Sequence, residues 1–241
     1  MRFKAIAVIV VASSFAVSAT ASPLEDARAA ERRDDCATAV SIYRTLAEKG
    51  VAEAYSRLGY FSEIGYCAKR DWLQAAKWYG TAIEAGDQAA AGSLGHIGRN
   101  WQFMYRNVPM DPIIYELIEQ AAKKGSAVAQ FSLGVMNYPI GDQSFDPSKG
   151  NLGEALIWYR RAADQSDVDA MVAMGMAYAS GIGVPQDFVE AHKWYNAAAP
   201  RTKYGDIRND IMKRRDDLSL KMTTVQMSDA QKLARDWKPN K

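Results

Sequence analysis

The sequence predicts an all-α fold: a right-handed α-solenoid of antiparallel helix pairs that ends in a C-terminal capping helix. Three observations support this prediction. A motif recurs at a nearly constant interval, apolar residues follow a helical period around each copy, and small residues stand at fixed offsets from it. One helix pair cannot bury its own apolar face, so neighbouring pairs have to stack against each other.

The recurring motif is centred on an apolar anchor that is followed at once by a second apolar residue. Successive anchors are 36, 39, 41 and 36 residues apart, and three of the five copies read Trp-Tyr. The anchors are Ile42, Trp78, Leu117, Trp158 and Trp194. We therefore expect five repeat units, with the three tryptophans buried between them.

Other columns keep step with the anchor. Eight residues after it stands glycine in three units and serine in the fourth, which predicts a first helix that ends in the left-handed conformation. Small residues recur twelve and seventeen residues after the anchor, so two helices can approach closely there. These columns are Ala54, Ala90, Ala129 and Ala170, and then Gly59, Gly95, Gly134 and Gly175.

The helix boundaries follow from these columns and from local capping signals. Asp71, Asp111 and Asp187 suit N-caps, and Thr223 and Gln226 have capping-box spacing. Helices are expected near residues 35–49, 52–64, 71–85, 87–99, 111–124, 127–137, 152–165, 168–180, 187–199, 206–219 and 224–237. The expected organisation is a signal peptide at 1–21, a leading helix at 22–33, repeats at 34–205, and a divergent last helix with a C-terminal cap at 206–241.

The clearest copy of the motif carries a family resemblance. It consists of Gly181, Gly183, Val184, Asp187, Trp194 and Tyr195. This pattern resembles the Sel1-like repeat, a relative of the tetratricopeptide repeat, over about residues 34–237. The third unit departs from it, because Leu117 and Ile118 replace Trp-Tyr. Members of that family are adaptors and regulators that hold other proteins, so the resemblance implies a protein–protein interaction scaffold.

The N-terminus predicts secretion. Arg2 and Lys4 precede an apolar stretch at 5–17, and Ala19 and Ala21 form an A-x-A cleavage pattern. Loss of these two basic residues takes the formal net charge from +2 to zero. We therefore expect a periplasmic or secreted protein that does not insert into a membrane after cleavage and does not bind nucleic acid.

The two cysteines predict a disulfide. Cys36 stands at the start of the first helix of unit 1, and Cys67 stands in the turn that enters unit 2. Stacked units bring that turn back beside the first helix, and an oxidising compartment favours the bond.

Catalytic patterns are missing from the sequence. It contains no Ser-x-x-Lys, Gly-x-Ser-x-Gly, Cys-x-x-Cys or His-Glu-x-x-His motif. The two histidines, His96 and His192, are expected to lie on the surface or in a groove. We expect no catalytic residue, no cofactor and no metal. Two alternatives stay open: a cell-wall-directed hydrolase or carbohydrate-binding solenoid protein, and a secreted effector that acts on a host.

The partner, expected to be another protein, is predicted to meet two kinds of residue. Polar positions between the core columns of the first helices are candidates for lining a curved face: Lys77, Arg160, Arg161, Lys193 and Asn196. Aromatic anchors stand in the long connection at 98–110: Trp101, Phe103 and Tyr105. A second long connection, at 138–153, carries Phe145, and we expect the partner near these two connections.

Overall fold

A computed structural model describes residues 22–104, 108–139 and 150–240. The predicted signal peptide lies outside these residues. The described elements are α1 (Pro23–Arg32), α2 (Cys36–Glu48), α3 (Ala52–Ile64), α4 (Trp72–Glu84), α5 (Ala90–Met104), α6 (Pro112–Lys123), α7 (Ala127–Asn137), α8 (Leu152–Asp164), α9 (Val168–Ser180), α10 (Phe188–Ala198), a 3₁₀ turn at Ala199–Arg201, α11 (Gly205–Ser219) and α12 (Thr224–Asp236). Units 1 to 5 are the successive pairs from α2–α3 to α10–α11. The predicted all-α solenoid is confirmed.

Side-chain caps fix where the helices begin. Asp71, Asp111 and Asp187 accept backbone N–H groups in the first turns of α4, α6 and α10. Thr223 and Gln226 form the predicted capping box of α12. Each such cap is worth about 1 kcal/mol, because it satisfies a donor that the helix itself leaves unpaired.

The first helix of units 1 to 4 ends in the left-handed conformation, as the sequence predicts. Gly50, Gly86 and Gly125 have φ values of 79°, 102° and 102°, and Ser166 takes the same conformation at 75°. A side chain is strained at positive φ, so glycine is favoured at this turn. The reversal folds each second helix back against the first.

One position is buried in all five units, namely the residue that directly follows the anchor. The side chains in this column are all at most 2% exposed: Tyr43, Tyr79, Ile118, Tyr159 and Tyr195. Adjacent residues of a helix point about 100° apart. The second residue of the motif therefore faces the preceding unit, while the anchor faces the groove between successive first helices.

The anchors are not equally buried, which corrects the expectation for one tryptophan. Trp194 is fully buried and Trp158 is 8% exposed, but Trp78 is only partly buried. Trp78 lines an open cleft, whereas Trp194 is covered by residues near the end of the chain.

Three junctions between units are built from a tyrosine ring on a glycine. The pairs are Gly59–Tyr79, Gly134–Tyr159 and Gly175–Tyr195. A Cβ added at these glycines would lie 2.7, 2.6 and 2.6 Å from a ring carbon of the paired tyrosine. The ring thus occupies the space that a side chain would take, and glycine is required.

Two of these buried tyrosine hydroxyls donate to defined acceptors. Tyr79 donates to a carboxylate oxygen of Glu63 at 2.7 Å, and Tyr159 donates to the carbonyl of Tyr138 at 2.8 Å. Burial raises the pKa of Tyr79 and also that of the Glu63 carboxyl. Both groups pair with each other, which satisfies polar atoms that would otherwise be costly to bury.

The junction between units 2 and 3 is built differently. Ile118 stands where the other units have tyrosine, and α5 packs along α7. A Cβ added at Gly95 would lie 2.7 Å from backbone atoms of Val128 and Ala129. The Ser132 hydroxyl donates to the Gly95 carbonyl, so the two helices meet in direct backbone contact.

Extra helices close the two ends of the array. At the N-terminal end, Arg28 of α1 donates to both carboxylate oxygens of Glu53 at 2.6 and 2.7 Å, and Glu31 pairs with Arg57. At the other end, α12 folds back onto α10, where Trp237 contacts Trp194.

Candidate partner-binding cleft

A cleft of about 650 Å³ opens between α2 and α4, with α3 as its floor. It lies between the first helices of units 1 and 2, on the face to which the anchors point. It is lined by Val40, Arg44, Ala47, Glu48, Tyr55, Leu58, Phe61, Ser62, Tyr66, Cys67, Ala68, Lys69, Asp71, Gln74 and Trp78. Apolar side chains with a few polar groups at the rim are typical of a recognition site.

Aromatic rings dominate the interior of the cleft. Tyr55 and Trp78 stack with their centroids 5.9 Å apart and an interplanar angle of 26°. Phe61 lies on the floor and packs against Tyr66, with a centroid separation of 4.5 Å. Large aromatic surfaces of this kind supply much of the free energy at protein interfaces.

The rim carries charges of both signs. Arg44 and Glu48 project from α2, and Lys69 and Asp71 stand on the opposite loop. Asp71 is also the N-cap of α4, which fixes that carboxylate in place. A mixed rim around an apolar floor orients a bound chain by charge while the floor supplies the contact area.

A disulfide holds one wall of the cleft. Cys36 at the start of α2 is bonded to Cys67, with their Cα atoms 5.7 Å apart, which confirms the predicted bond. The loop from Gly65 to Asp71 leaves α3 with Gly65 and Cys67 at positive φ. Asp71 N–H donates to the Ser62 carbonyl at 2.9 Å and returns the chain to α4.

Of the predicted aromatic anchors, Trp101 lies away from this cleft, and the helix that carries it is longer than expected. α5 runs to Met104 instead of ending near residue 99, so Trp101 and Phe103 belong to a helix. Trp101 packs against the core of units 2 and 3, and its indole N–H donates to the Val108 carbonyl at 3.1 Å. Tyr105 and Phe145 lie outside the described residues.

Three of the predicted polar residues lie on or near the surface, but the structure does not bring them together. Lys77 is exposed on α4. Arg161 lies 4.7 Å over the ring of Trp158, and Arg160 lies 5.1 Å over the ring of Trp194. Both arginines thus cover tryptophan anchors, as expected of cation–π contacts.

The expectation that Lys193 is exposed on this face is not met. Lys193 is 9% exposed, donates to Glu190 at 2.8 Å and lies 4.7 Å from the centre of the Trp194 ring. These two contacts satisfy an ammonium group that is costly to bury.

His192 is buried as well, which corrects the expectation of a surface or groove imidazole. It is 5% exposed, and its Nδ1 lies 2.9 Å from the side-chain nitrogen of Asn196. Burial and the nearby Arg215 guanidinium lower the pKa of His192. Asn196 also accepts from Arg215 at 3.4 Å, so it contacts α11 and is only partly exposed.

Sequence reasoning missed the residues that form the cleft. Arg44, Tyr55 and Lys69 were not among its candidates, and Trp78 was assigned to the core. One signal was available: an arginine stands two residues after the anchor in units 1 and 4, at Arg44 and Arg160.

Within the described residues, no group of three or more His, Cys, Asp or Glu side chains is arranged to hold a metal ion. Across the same part of the chain, none of the helices has the length and apolar character needed to cross a membrane.

A known repeat family matches the chain in three stretches that coincide with the packed helix pairs. The Sel1 repeat model matches residues 52–87, 127–167 and 168–199. Each matched stretch pairs the second helix of one unit with the first helix of the next. These pairs, α3–α4, α7–α8 and α9–α10, are the three that carry the tyrosine–glycine contact.

Two curated relatives are fungal regulators. The chitin synthase regulator SKT5 of Malassezia restricta is 30% identical over 126 residues, which cover 52% of this chain and 8% of that protein. Chitin synthase regulatory factor 3 of Schizosaccharomyces pombe is 25% identical over 206 residues, which cover 69% of this chain and 22% of that protein. The chain thus spans less than a quarter of the length of either relative.

A solved structure has the same fold. A Sel1 repeat protein from Oxalobacter formigenes superposes with a TM-score of 0.51 at 22% identity, and the match covers 88% of this chain and 66% of that chain. At this identity the likeness concerns the fold alone.

Proposed function

We propose that this chain, which belongs to the Sel1 repeat family, is an exported scaffold that holds a partner protein in the cleft between α2 and α4. One observation carries the proposal: the Tyr55–Trp78 stack lies in an open cleft of about 650 Å³ instead of being buried between units. An aromatic surface left open beside a charged rim is a typical protein-binding feature.

The proposed action on the partner is regulatory and does not involve catalysis by this chain. Both fungal relatives are named as regulators of an enzyme, chitin synthase. A scaffold that holds or positions an enzyme or sensor of the cell envelope would use the fold in a comparable way. Purified chain is expected to turn over neither a chromogenic lactam nor peptidoglycan, and measurable turnover of either would refute this part.

Export is supported by the N-terminal sequence and by the Cys36–Cys67 bond, since disulfides persist mainly in oxidising compartments. A C-terminally tagged chain should fractionate outside the cytoplasm, shortened by about 21 residues. Both cysteines should resist alkylation until a reductant is added. A full-length cytoplasmic product with two reactive thiols would contradict the proposed localisation.

Site-specific photocrosslinking in cells tests the scaffold itself. A photoreactive residue at Lys69, on the rim of the cleft, should yield a discrete crosslinked protein. The control position is Lys213, which is exposed on α11 away from the cleft. The crosslink at residue 69 should disappear when Trp78→Ala is added. Equal crosslinking from both positions, or none from Lys69, would refute the cleft as the binding site.

A further inference from the structure

The C-terminal end of the chain occupies a groove between two first helices. Trp237 meets Trp194 edge to face, with ring centroids 5.9 Å apart and an interplanar angle of 65°. Arg201 lies 4.8 Å over the Trp237 ring. The backbone N–H of Asn240 donates to the Asp164 carbonyl at 2.7 Å. The segment after α12 therefore reaches from α10 to the C-terminal end of α8.

This groove is the repeat equivalent of the open cleft. Its contacts involve the anchor Trp194, Arg160 two residues after the preceding anchor, and Asp164 six residues after it. Arg160 stacks on Trp194 at 5.1 Å. The same three positions in units 1 and 2 are held by Trp78, Arg44 and Glu48. All three line the open cleft, so the two grooves offer matching chemistry and only one is filled.

The groove between α4 and α6 is not available in the same way. A Cβ added at Gly80 would lie 2.9 Å from Leu117, so the leucine already fills the space between the helices. In the next groove, Trp158 is 8% exposed and Arg161 covers its ring at 4.7 Å. Among the described residues, the α2–α4 cleft therefore combines a partly exposed anchor, Trp78, with an opening of about 650 Å³.

We infer that the cleft binds a short segment of the partner in which an aromatic residue, preferably tryptophan, is followed by a basic residue. The inference rests on the proposed function and names the chemistry of the partner. The chain's own segment supplies the template, since Lys238 follows Trp237. In the open cleft Glu48 supplies an acidic side chain that complements that basic residue, while in the filled groove Asp164 contributes its backbone carbonyl, which accepts from Asn240.

The expected contacts follow from the filled groove. The partner's ring packs against Trp78 on the side that Tyr55 leaves open, and the Arg44 guanidinium stacks on the aromatic pair as Arg160 does on Trp194. Backbone N–H groups after the aromatic residue reach carbonyls at the end of α2, since the last four carbonyls of a helix lack intrahelical partners. The segment therefore binds across the C-terminal end of α2.

The test uses the full chain without its first 21 residues and a synthetic peptide with the sequence of residues 224–241. Isothermal titration should show one site per chain, with a Kd on the order of 10–100 µM for so small an interface. Peptide with Trp237→Ala should bind at least tenfold more weakly. Chain with Arg44→Ala or Trp78→Ala should show the same loss, whereas Lys213→Ala should show none.

Arg44 is exposed, so Arg44→Ala keeps the test meaningful even if Trp78→Ala disturbs folding. Circular dichroism checks each variant. Absence of saturable binding up to about 1 mM peptide would overturn the inference, because the free energy of binding would then be weaker than about −4 kcal/mol. Binding that the Arg44 and Trp78 changes leave intact would also overturn it, because the peptide would then exchange with the chain's own segment at Trp194.

Two further outcomes separate this inference from the proposed function. If the Lys69 crosslink forms in cells but the peptide does not bind, the scaffold stands and the aromatic-basic recognition is wrong. If the chain self-associates in sedimentation and Trp78→Ala abolishes this, the occupant is a second copy, and the inference of a different partner protein is overturned.

Discussion

The junction between units 2 and 3 differs from the three junctions that carry tyrosine. In those three, a buried ring separates the second helix of one unit from the first helix of the next, as Tyr159 does above Gly134. Between units 2 and 3 no ring lies on Gly95: Ile118 packs against Gly98 instead, and the backbone at Gly95 meets that of α7. The ring is thus a spacer, and without it the helices close onto each other's backbone.

The difference reaches the face where the anchors lie. Leu117 packs into the space above Gly80 and closes the groove between α4 and α6. The groove between α2 and α4 is open instead. Its anchor is Trp78, and Arg44 stands two positions after the preceding anchor. The sequence of one junction therefore decides both how closely two units pack and whether a partner can enter between them.

The largest expected effect comes from removing a spacer ring. Tyr159→Ala should lower the free energy of unfolding by about 3–5 kcal/mol, since it empties a fully buried site. Chemical denaturation measures it. Tyr159→Phe is the matched control: it keeps the ring, loses the hydroxyl with its bond to the Tyr138 carbonyl, and should cost about 1 kcal/mol. Equal costs for the two variants would show that the hydroxyl, not the spacer, holds the junction.

The junction between units 1 and 2 has a covalent link in addition to its ring. Replacing both Cys36 and Cys67 by serine should lower the free energy of unfolding by about 3–4 kcal/mol, the loop-entropy value for residues 31 apart. The variant should also bind the peptide of residues 224–241 more weakly, because the loop at 65–71 is a wall of the cleft. Unchanged stability would mean that the ring at Tyr79 holds the junction by itself.

Two glycines of α5 should respond with opposite signs. Gly95→Ala should destabilise the chain by about 1–3 kcal/mol, since the new methyl group meets the backbone of α7. A methyl group added at Gly92 meets nothing within 4 Å, so Gly92→Ala should stabilise the helix by about 0.5–1 kcal/mol. Thermal melts of the pair decide the matter. A neutral or stabilising Gly95→Ala would show that α5 and α7 are farther apart than described.

Asp167, the N-cap of α9, should make stability depend on pH. Burial raises its pKa to about 6, against the opposing effects of the Ala170 N–H and Arg99. The folded chain therefore holds a proton that the unfolded chain has lost, and the free energy of unfolding falls as pH rises from about 4 to about 6.

Asp167→Asn keeps the capping oxygen and removes the titration. The variant should match the parent chain near pH 4 and exceed it by on the order of 1 kcal/mol at pH 7, a value reduced for partial solvent exposure. Denaturation at several pH values measures this. An advantage that is equally large at pH 4 and pH 7 would contradict the assignment.

The smallest effect is expected at an ion pair that joins units 2 and 4. Arg99 of unit 2 pairs with Asp169 of unit 4 and lies 5.0 Å over Phe131 of unit 3. Both charged side chains are partly exposed, so Asp169→Asn should cost about 0–1 kcal/mol and less at high salt. Combining it with Gly95→Ala should give less than the sum of the two costs, because a wider junction already separates the pair.

The sequence was sufficient for features that depend on nearby residues. The bounds expected at 52–64, 127–137 and 168–180 match α3, α7 and α9, since caps and helical periodicity act within a few residues. The disulfide was also predictable, because the repeat spacing brings Cys36 and Cys67 together.

Features that depend on distant segments were not predictable. Trp78 and Trp194 have the same neighbours in the repeat pattern, and their exposure differs because Trp237 covers only one of them. Lys193 is buried against Glu190 and Trp194, the anchor that Trp237 covers. The cleft was missed because the repeat pattern does not show which groove a distant segment fills.

The tight junction also bears on how the chain opens. In a simple solenoid each unit senses only its immediate neighbours, and unfolding proceeds unit by unit. Here Arg99 links unit 2 to unit 4 across unit 3, and α5 contacts α7 directly. We therefore expect the centre of the array to open as one cooperative block with common amide hydrogen-exchange protection. The ends should exchange sooner, so that the cleft of unit 1 and the segment around Trp237 could adjust to a ligand without loosening the middle.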